Sequence, residues 1–163
     1  MENVSASDER RAIHLGATAA MRFKLIEQQP KTYAVVFETG DELAAGLKQF
    51  AQAQKLTGSS FKAIGAFSSV RLAWFDWEKK EYRPSVVFNE QVELVSLIGD
   101  VALKDGEPQV HAHVVVARAD GAAYGGHLLE AYVRPTCEVI LTESPPNLHK
   151  EIDSESGLAL IRL

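Results

Sequence analysis

At 163 residues, 46% hydrophobic and 24% charged, the chain is long enough for one domain with its own core and too short for two ordinary ones. Its net charge of −5 and scattered Lys and Arg residues argue against generic phosphate-backbone binding, which needs clustered cations. The lone Cys137 excludes an internal disulfide and a sulfur-rich zinc finger, and no apolar run is long enough to span a membrane.

Residues 1–20 are polar and Ala-rich without clear periodicity, and are expected to form a flexible leader ahead of a domain covering 21–163. Acidic Glu2, Asp8 and Glu9 interrupt the basic-then-apolar layout of a secretory signal, so the expected compartment is the cytoplasm. Alternation then predicts two strands, Met21–Ile26 and Thr32–Phe37, joined around Gln29-Pro30-Lys31. A helix follows. Thr39-Gly40-Asp41-Glu42 fits a capping box, Leu43, Leu47, Phe50 and Ala51 recur at helical spacing, Lys55 falls in the last turn, and Gly58 is placed to close it.

Five strand-like runs come next: Phe61–Phe67, Val70–Trp77, Arg83–Phe88, Val92–Leu103 and Val110–Ala117. A glycine-containing segment, Cys137–Thr142 and a terminal Leu158–Leu163 complete the chain, with a loop at Ser144-Pro145-Pro146-Asn147. In Val70–Trp77, alternation puts Trp74 on one face and Phe75 and Trp77 on the other, as expected if one face fills the core and the other a subunit contact. One strong helix among many strands predicts an α+β fold, a largely antiparallel sheet flanked by helices.

The chemistry concentrates in three histidines. His111 and His113 are two apart in a β-rich run, so both imidazoles project from one face, about 7 Å apart along the backbone. His127 follows Gly125-Gly126, read as a sharp turn that swings the third ring over the first two. Three neutral imidazoles favour zinc or another divalent transition metal over calcium or magnesium, and leave one tetrahedral position open. On pattern alone, the pair reads equally as a solvated polar face. His14 and His149 read as exposed and inert, and Cys137 as a buried structural thiol.

If Asp105-Gly106 is a two-residue turn, positions summing to 211 pair across the hairpin. Asp100 then faces His111, where a carboxylate would fix the metal-binding tautomer. Glu93 and Glu130 are the candidate acid–base residues, though that register puts Glu93 on the face opposite the histidines.

Together the blocks Gly40-Asp41-Glu42-Leu43, Ile64–Val70, Glu93–Gly99, His111-Ala112-His113, Gly125–Glu130 and Glu138–Leu141 resemble the plants-and-prokaryotes conserved (PPC) domain family, prokaryotic type. The resemblance implies an antiparallel sheet flanked by helices and a homotrimer holding zinc on the three motif histidines. The ligand set also resembles that of acetolactate decarboxylase. The Arg-Gly-Arg-Pro of an AT-hook is absent, since the Arg-Pro steps are Arg83-Pro84 and Arg134-Pro135. Three functions compete: a trimeric metal-binding module with a small-molecule ligand or protein partner, a metal-dependent enzyme acting on a small carbonyl-containing metabolite, and a DNA-binding regulator. Net charge and the missing AT-hook disfavour the last.

Overall fold

The computed structural model describes residues 22–144 and 148–162. The expected leader and His14 lie outside them. In chain order the elements are β1 (Arg22–Gln28), β2 (Lys31–Glu38), α1 (Leu43–Gln54), β3 (Gly58–Asp76) and β4 (Glu81–Phe88). Then come β5 (Val92–Lys104), β6 (Glu107–Ala117), β7 (Ala123–Glu143), β8 (His149–Ile152) and β9 (Ala159–Arg162). The α+β expectation holds. Among the described residues the flanking helices number one, α1.

The strands form one sheet in the order β1-β2-β7-β3-β5-β8-β9, with β4 added to β3 and β6 bridging β5 and β7. Strands β3, β5, β6 and β7 therefore close a ring, because each pairs with two of the others. All pairings are antiparallel except a single parallel bridge, Leu103 to His149. Phe61–Phe67 and Val70–Trp77 belong to one long β3, and the glycine segment and Cys137–Thr142 to one long β7. Irregularities at Gly65/Phe67, Phe67/Ser69 and Arg71/Leu72 let this β3–β7 pair bend without ending.

The helix packs on β6 and β7, and its stripe of Leu43, Leu47, Phe50 and Ala51 is buried as the periodicity predicts. It meets Tyr33, Val35 and Phe37 of β2 and Ala112, Val114 and Val116 of β6 in one core. Burying each of the large members contributes about 1.5–3 kcal/mol relative to exposure. The ends of the helix differ from the expectation. Glu42 is itself the N-cap, accepting from the amides of Ala44 at 3.1 Å and Ala45 at 2.6 Å, while the Thr39 hydroxyl donates to the Pro135 carbonyl at 3.2 Å. Glu42 also accepts from the Ala131 amide at 3.1 Å, so one carboxylate both caps α1 and ties it to β7. Lys55, at φ 54°, makes the left-handed C-cap, and Gly58 opens β3 instead.

Cys137 is buried, and burial pushes its thiol up to about 12, which keeps it an unreactive packing group. The aromatic cluster divides differently from the alternation argument. Trp74 and Trp77 are both exposed, while Phe75 is half-buried edge-on to Trp77 and Tyr82. Among the described residues no helix is long and apolar enough to cross a membrane.

Candidate metal centre

The site grows from two hairpins that share β6. In the first, Asp105 and Gly106 have φ of 52° and 82°, and this two-residue turn sets Lys104 opposite Glu107. Pro108 leaves the register intact, opposite Leu103, so His111 faces Asp100 and His113 faces Ile98 as the turn arithmetic predicts. The outward face of β6 carries both histidines, and the inward face carries core residues Ala112 and Val114.

The second hairpin, β6 to β7, turns through Arg118–Ala122. The Arg118 amide donates to the Ala122 carbonyl, the Gly121 amide donates to the Arg118 carbonyl, and Asp120 Oδ1 accepts from the Ala122 amide. Its register puts His127 directly opposite His113. The glycines before His127 are thus not a turn. Gly125 and Gly126 run straight along β7 opposite Val115 and Val114. A Cβ on Gly126 would lie 2.8 Å from the Ala73 carbonyl oxygen, so this glycine lets β3 approach closely behind the site.

The three imidazoles converge. Ring centroids are 5.2 Å apart for His111–His113, 5.2 Å for His111–His127 and 5.5 Å for His113–His127. One ligand nitrogen from each lies within 4.8 Å of the others. Asp100 Oδ2 stands 3.4 Å from His111 Nδ1, which leaves His111 Nε2 as the inward-facing atom. That Nε2 and His127 Nδ1 are buried without a hydrogen-bond partner. Two orphaned imidazole nitrogens side by side are costly unless a further group meets them, because a buried polar atom without a partner forfeits about 1–3 kcal/mol.

Electrostatics keep His113 and His127 neutral. Burial, followed by the neighbouring His111, His113 and Lys150, lowers His127 to about 4. Burial and His111 lower His113 as well. Asp100 is pushed up by burial, but its contacts with His111 and Lys150 outweigh that and hold its carboxyl below the usual range. Near neutral pH both lowered imidazoles therefore offer lone pairs, the form that ligates a metal. Donor type, convergence and orphaned nitrogens all fit a divalent transition metal held by His111, His113 and His127. The exposed edge at His113 leaves one side of the set open to solvent.

Two residues invisible to the pattern complete the surroundings. Tyr82 of β4 stacks on His127 with centroids 3.9 Å apart and planes 21° from parallel. Lys150 of β8 reaches Asp100 Oδ1 at 2.8 Å with a side chain only 3% exposed. The candidate acid–base residues are not gathered in. A register shift between Leu94 and Ser96 sets Glu93 opposite Ala117, which corrects the expected face: Glu93 lies on the same outward face as the histidines. Ala117 is nonetheless four residues from His113, about 13 Å along the strand. Glu130 pairs with Arg71 at 3.8 Å and accepts from the Tyr132 hydroxyl at 3.5 Å. His149 is exposed beside Glu151.

Comparison with known proteins agrees with this architecture. A plant- and prokaryote-conserved protein of Pyrococcus horikoshii is 34% identical with a TM-score of 0.76, covering 86% of this chain and 94% of that one. A metal-containing protein of Archaeoglobus fulgidus is 30% identical with a TM-score of 0.75, covering 90% and 100% respectively. A Bacteroides thetaiotaomicron protein provisionally named for DNA binding is 25% identical with a TM-score of 0.81, covering 87% and 96%. The α-acetolactate decarboxylase of Bacillus subtilis, 14% identical with a TM-score of 0.50 over 78% of this chain and 58% of that one, shares the fold alone. In sequence, the chain is 31% identical over 116 residues to the bifunctional protein GlmU of Synechococcus sp. (strain JA-3-3Ab). That stretch is 70% of this chain but only 17% of the larger protein. With residues 25–145 matching its domain, the chain belongs to the Plants and Prokaryotes Conserved (PCC) domain family.

Proposed function

We propose that the chain is a metal-binding module that holds one divalent transition metal, zinc first, on His111, His113 and His127. The observation that carries this reading is the pair of buried, unpartnered nitrogens, His111 Nε2 and His127 Nδ1, within a three-imidazole set spanning 4.8 Å. Bound there, the metal would supply Lewis acidity at its open position. The chain's own residues supply the neutral donors and the Asp100 carboxylate that sets the His111 tautomer.

The module works as a homotrimer. Ile64, Val95, Ile98 and Ile140 stand exposed on the sheet, Ile64 and Ile98 by 63% and 64%. Ile98 and Ile140 flank the exposed Lys62 in register, and Ile98 abuts His113, so exposed apolar side chains interrupted by one cation lead up to the site. A surface of this kind is normally covered by another copy or a partner. Glu93 and Glu130 stand away from acid–base duty on this reading, because one is remote and the other is paired with Arg71. A binding role with a small ligand at the open position is therefore favoured over catalysis on a carbonyl compound. DNA binding has the charge against it.

Elemental analysis and calorimetric zinc titration of the wild type, His113→Ala, His14→Ala and His149→Ala test the ligand set. About one zinc per chain is expected in the wild type and in the last two variants, with affinity falling by orders of magnitude in His113→Ala. Equal zinc binding by wild type and His113→Ala would remove the assignment.

A further inference from the structure

Lys150 lies beyond the matched domain, on the short strand β8 of a C-terminal hairpin. The hairpin is organised locally. Asp153 accepts from the Ser156 amide and hydroxyl, both at 2.8 Å, and pairs with Arg162 at 3.3 Å across the turn. It is fastened to the sheet where the Leu103 amide donates to the Leu148 carbonyl at 3.0 Å and His149 bridges Leu103. The next residue, Lys150, then sends a nearly fully buried ammonium to Asp100 at 2.8 Å.

A buried lysine is an expensive way to fill space. An apolar side chain of similar volume would usually serve stability as well or better, so the pair calls for another reason. Asp100 supplies one. Its Oδ1 meets Lys150, and its Oδ2 faces His111 Nδ1 at 3.4 Å. The ion pair with the buried ammonium holds the carboxylate in this orientation, and an anionic oxygen opposite Nδ1 favours the proton there. A free histidine side chain in water prefers the opposite tautomer, with the proton on Nε2. In this chain that would point an N–H at the centre of the triad.

We infer that Lys150 is a positioning residue of the three-histidine site: through Asp100 it locks His111 as the Nδ1–H tautomer and turns the Nε2 lone pair toward the ligand centre. This inference rests on the metal-binding reading for its purpose. The tautomer itself is a property of the metal-free protein and stands or falls without any metal.

The experiment is long-range ¹⁵N–¹H correlation NMR of the metal-free protein at pH 8, on the wild type, Lys150→Met, Lys150→Arg and Asp100→Asn, followed by zinc titration of each. In the wild type His111 should report a proton on Nδ1. In Lys150→Met and Asp100→Asn that signal should move to Nε2–H or to an averaged mixture, with zinc affinity about 10- to 100-fold weaker. Lys150→Arg, which keeps the cation, should retain the wild-type pattern. Should Lys150→Met fail to fold, the near-isosteric Asp100→Asn reads the same link from its other end. A wild-type His111 protonated on Nε2 overturns the inference outright. So does an unchanged tautomer in folded Lys150→Met, or in Asp100→Asn. A correct tautomer pattern with no zinc uptake by any variant would instead overturn the metal reading and leave the positioning role standing.

Discussion

Lowering the pH should destabilise the metal-free protein through His127 before any carboxylate contributes. Its ring falls from the ordinary 6.5 to about 4 in the folded chain, chiefly through burial and then through His111, His113 and Lys150. Because the folded value is the lower one, the unfolded chain binds more protons between about pH 6.5 and 4, and stability falls as pH drops through that window. By pH 4.5 linkage assigns this one group about 2.5 kcal/mol, which the ring's partial exposure discounts to about 1–2 kcal/mol. Asp76, Asp100 and Asp153 are held below their ordinary 3.8, so their contributions are retained above that pH and lost only below it. The measurement is urea unfolding at pH 7 and pH 4.5, with a chelator present, of the wild type and His127→Gln. The wild type should lose about 1–2 kcal/mol more than the variant between the two pH values. Equal losses would refute a neutral, desolvated His127 in the native triad.

Removing the ring stacked on His127 should loosen the site without dismantling it. Tyr82→Leu should weaken zinc binding about 2- to 10-fold, from the 0.5–1.5 kcal/mol typical of aromatic stacking, and Tyr82→Phe should leave it unchanged in the same titration. Light scattering at micromolar concentration should return a trimer mass, and Ile64→Asp should lower it; a wild-type monomer would contradict the assembly. In competition binding at physiological salt, no duplex should be preferred over an unrelated one, and submicromolar sequence-specific affinity would reverse that conclusion.

Local rules carried the sequence reading a long way. The Asp105-Gly106 turn fixed a register that held through Pro108, so the Asp100–His111 neighbours were legible from two residues and a sum. The helix stripe was equally plain, whereas its caps were not. Glu42 caps α1 while also holding the Ala131 amide of β7, a contact 89 residues away that a local motif cannot contain. His127 reaches the site by a different route from the turn that Gly125-Gly126 suggests. Asp120-Gly121 marked the turn whose hairpin sets His127 opposite His113, and Gly125-Gly126 drew attention from it. The face of Glu93 was lost to the irregularity at Val95, since a single inserted residue reverses every side chain beyond it. Tyr82 reaches His127 from an edge strand and Lys150 reaches Asp100 from beside a parallel bridge, pairings that no periodicity announces.

The central claim is that three imidazoles of one chain surround one metal with a position left open. X-ray absorption spectroscopy of the zinc-loaded protein measures this directly. The expected first shell is three imidazole nitrogens at about 2.0–2.1 Å with one further light-atom ligand and no sulfur. A shell containing sulfur, or one dominated by oxygen with fewer than two imidazoles, would contradict it.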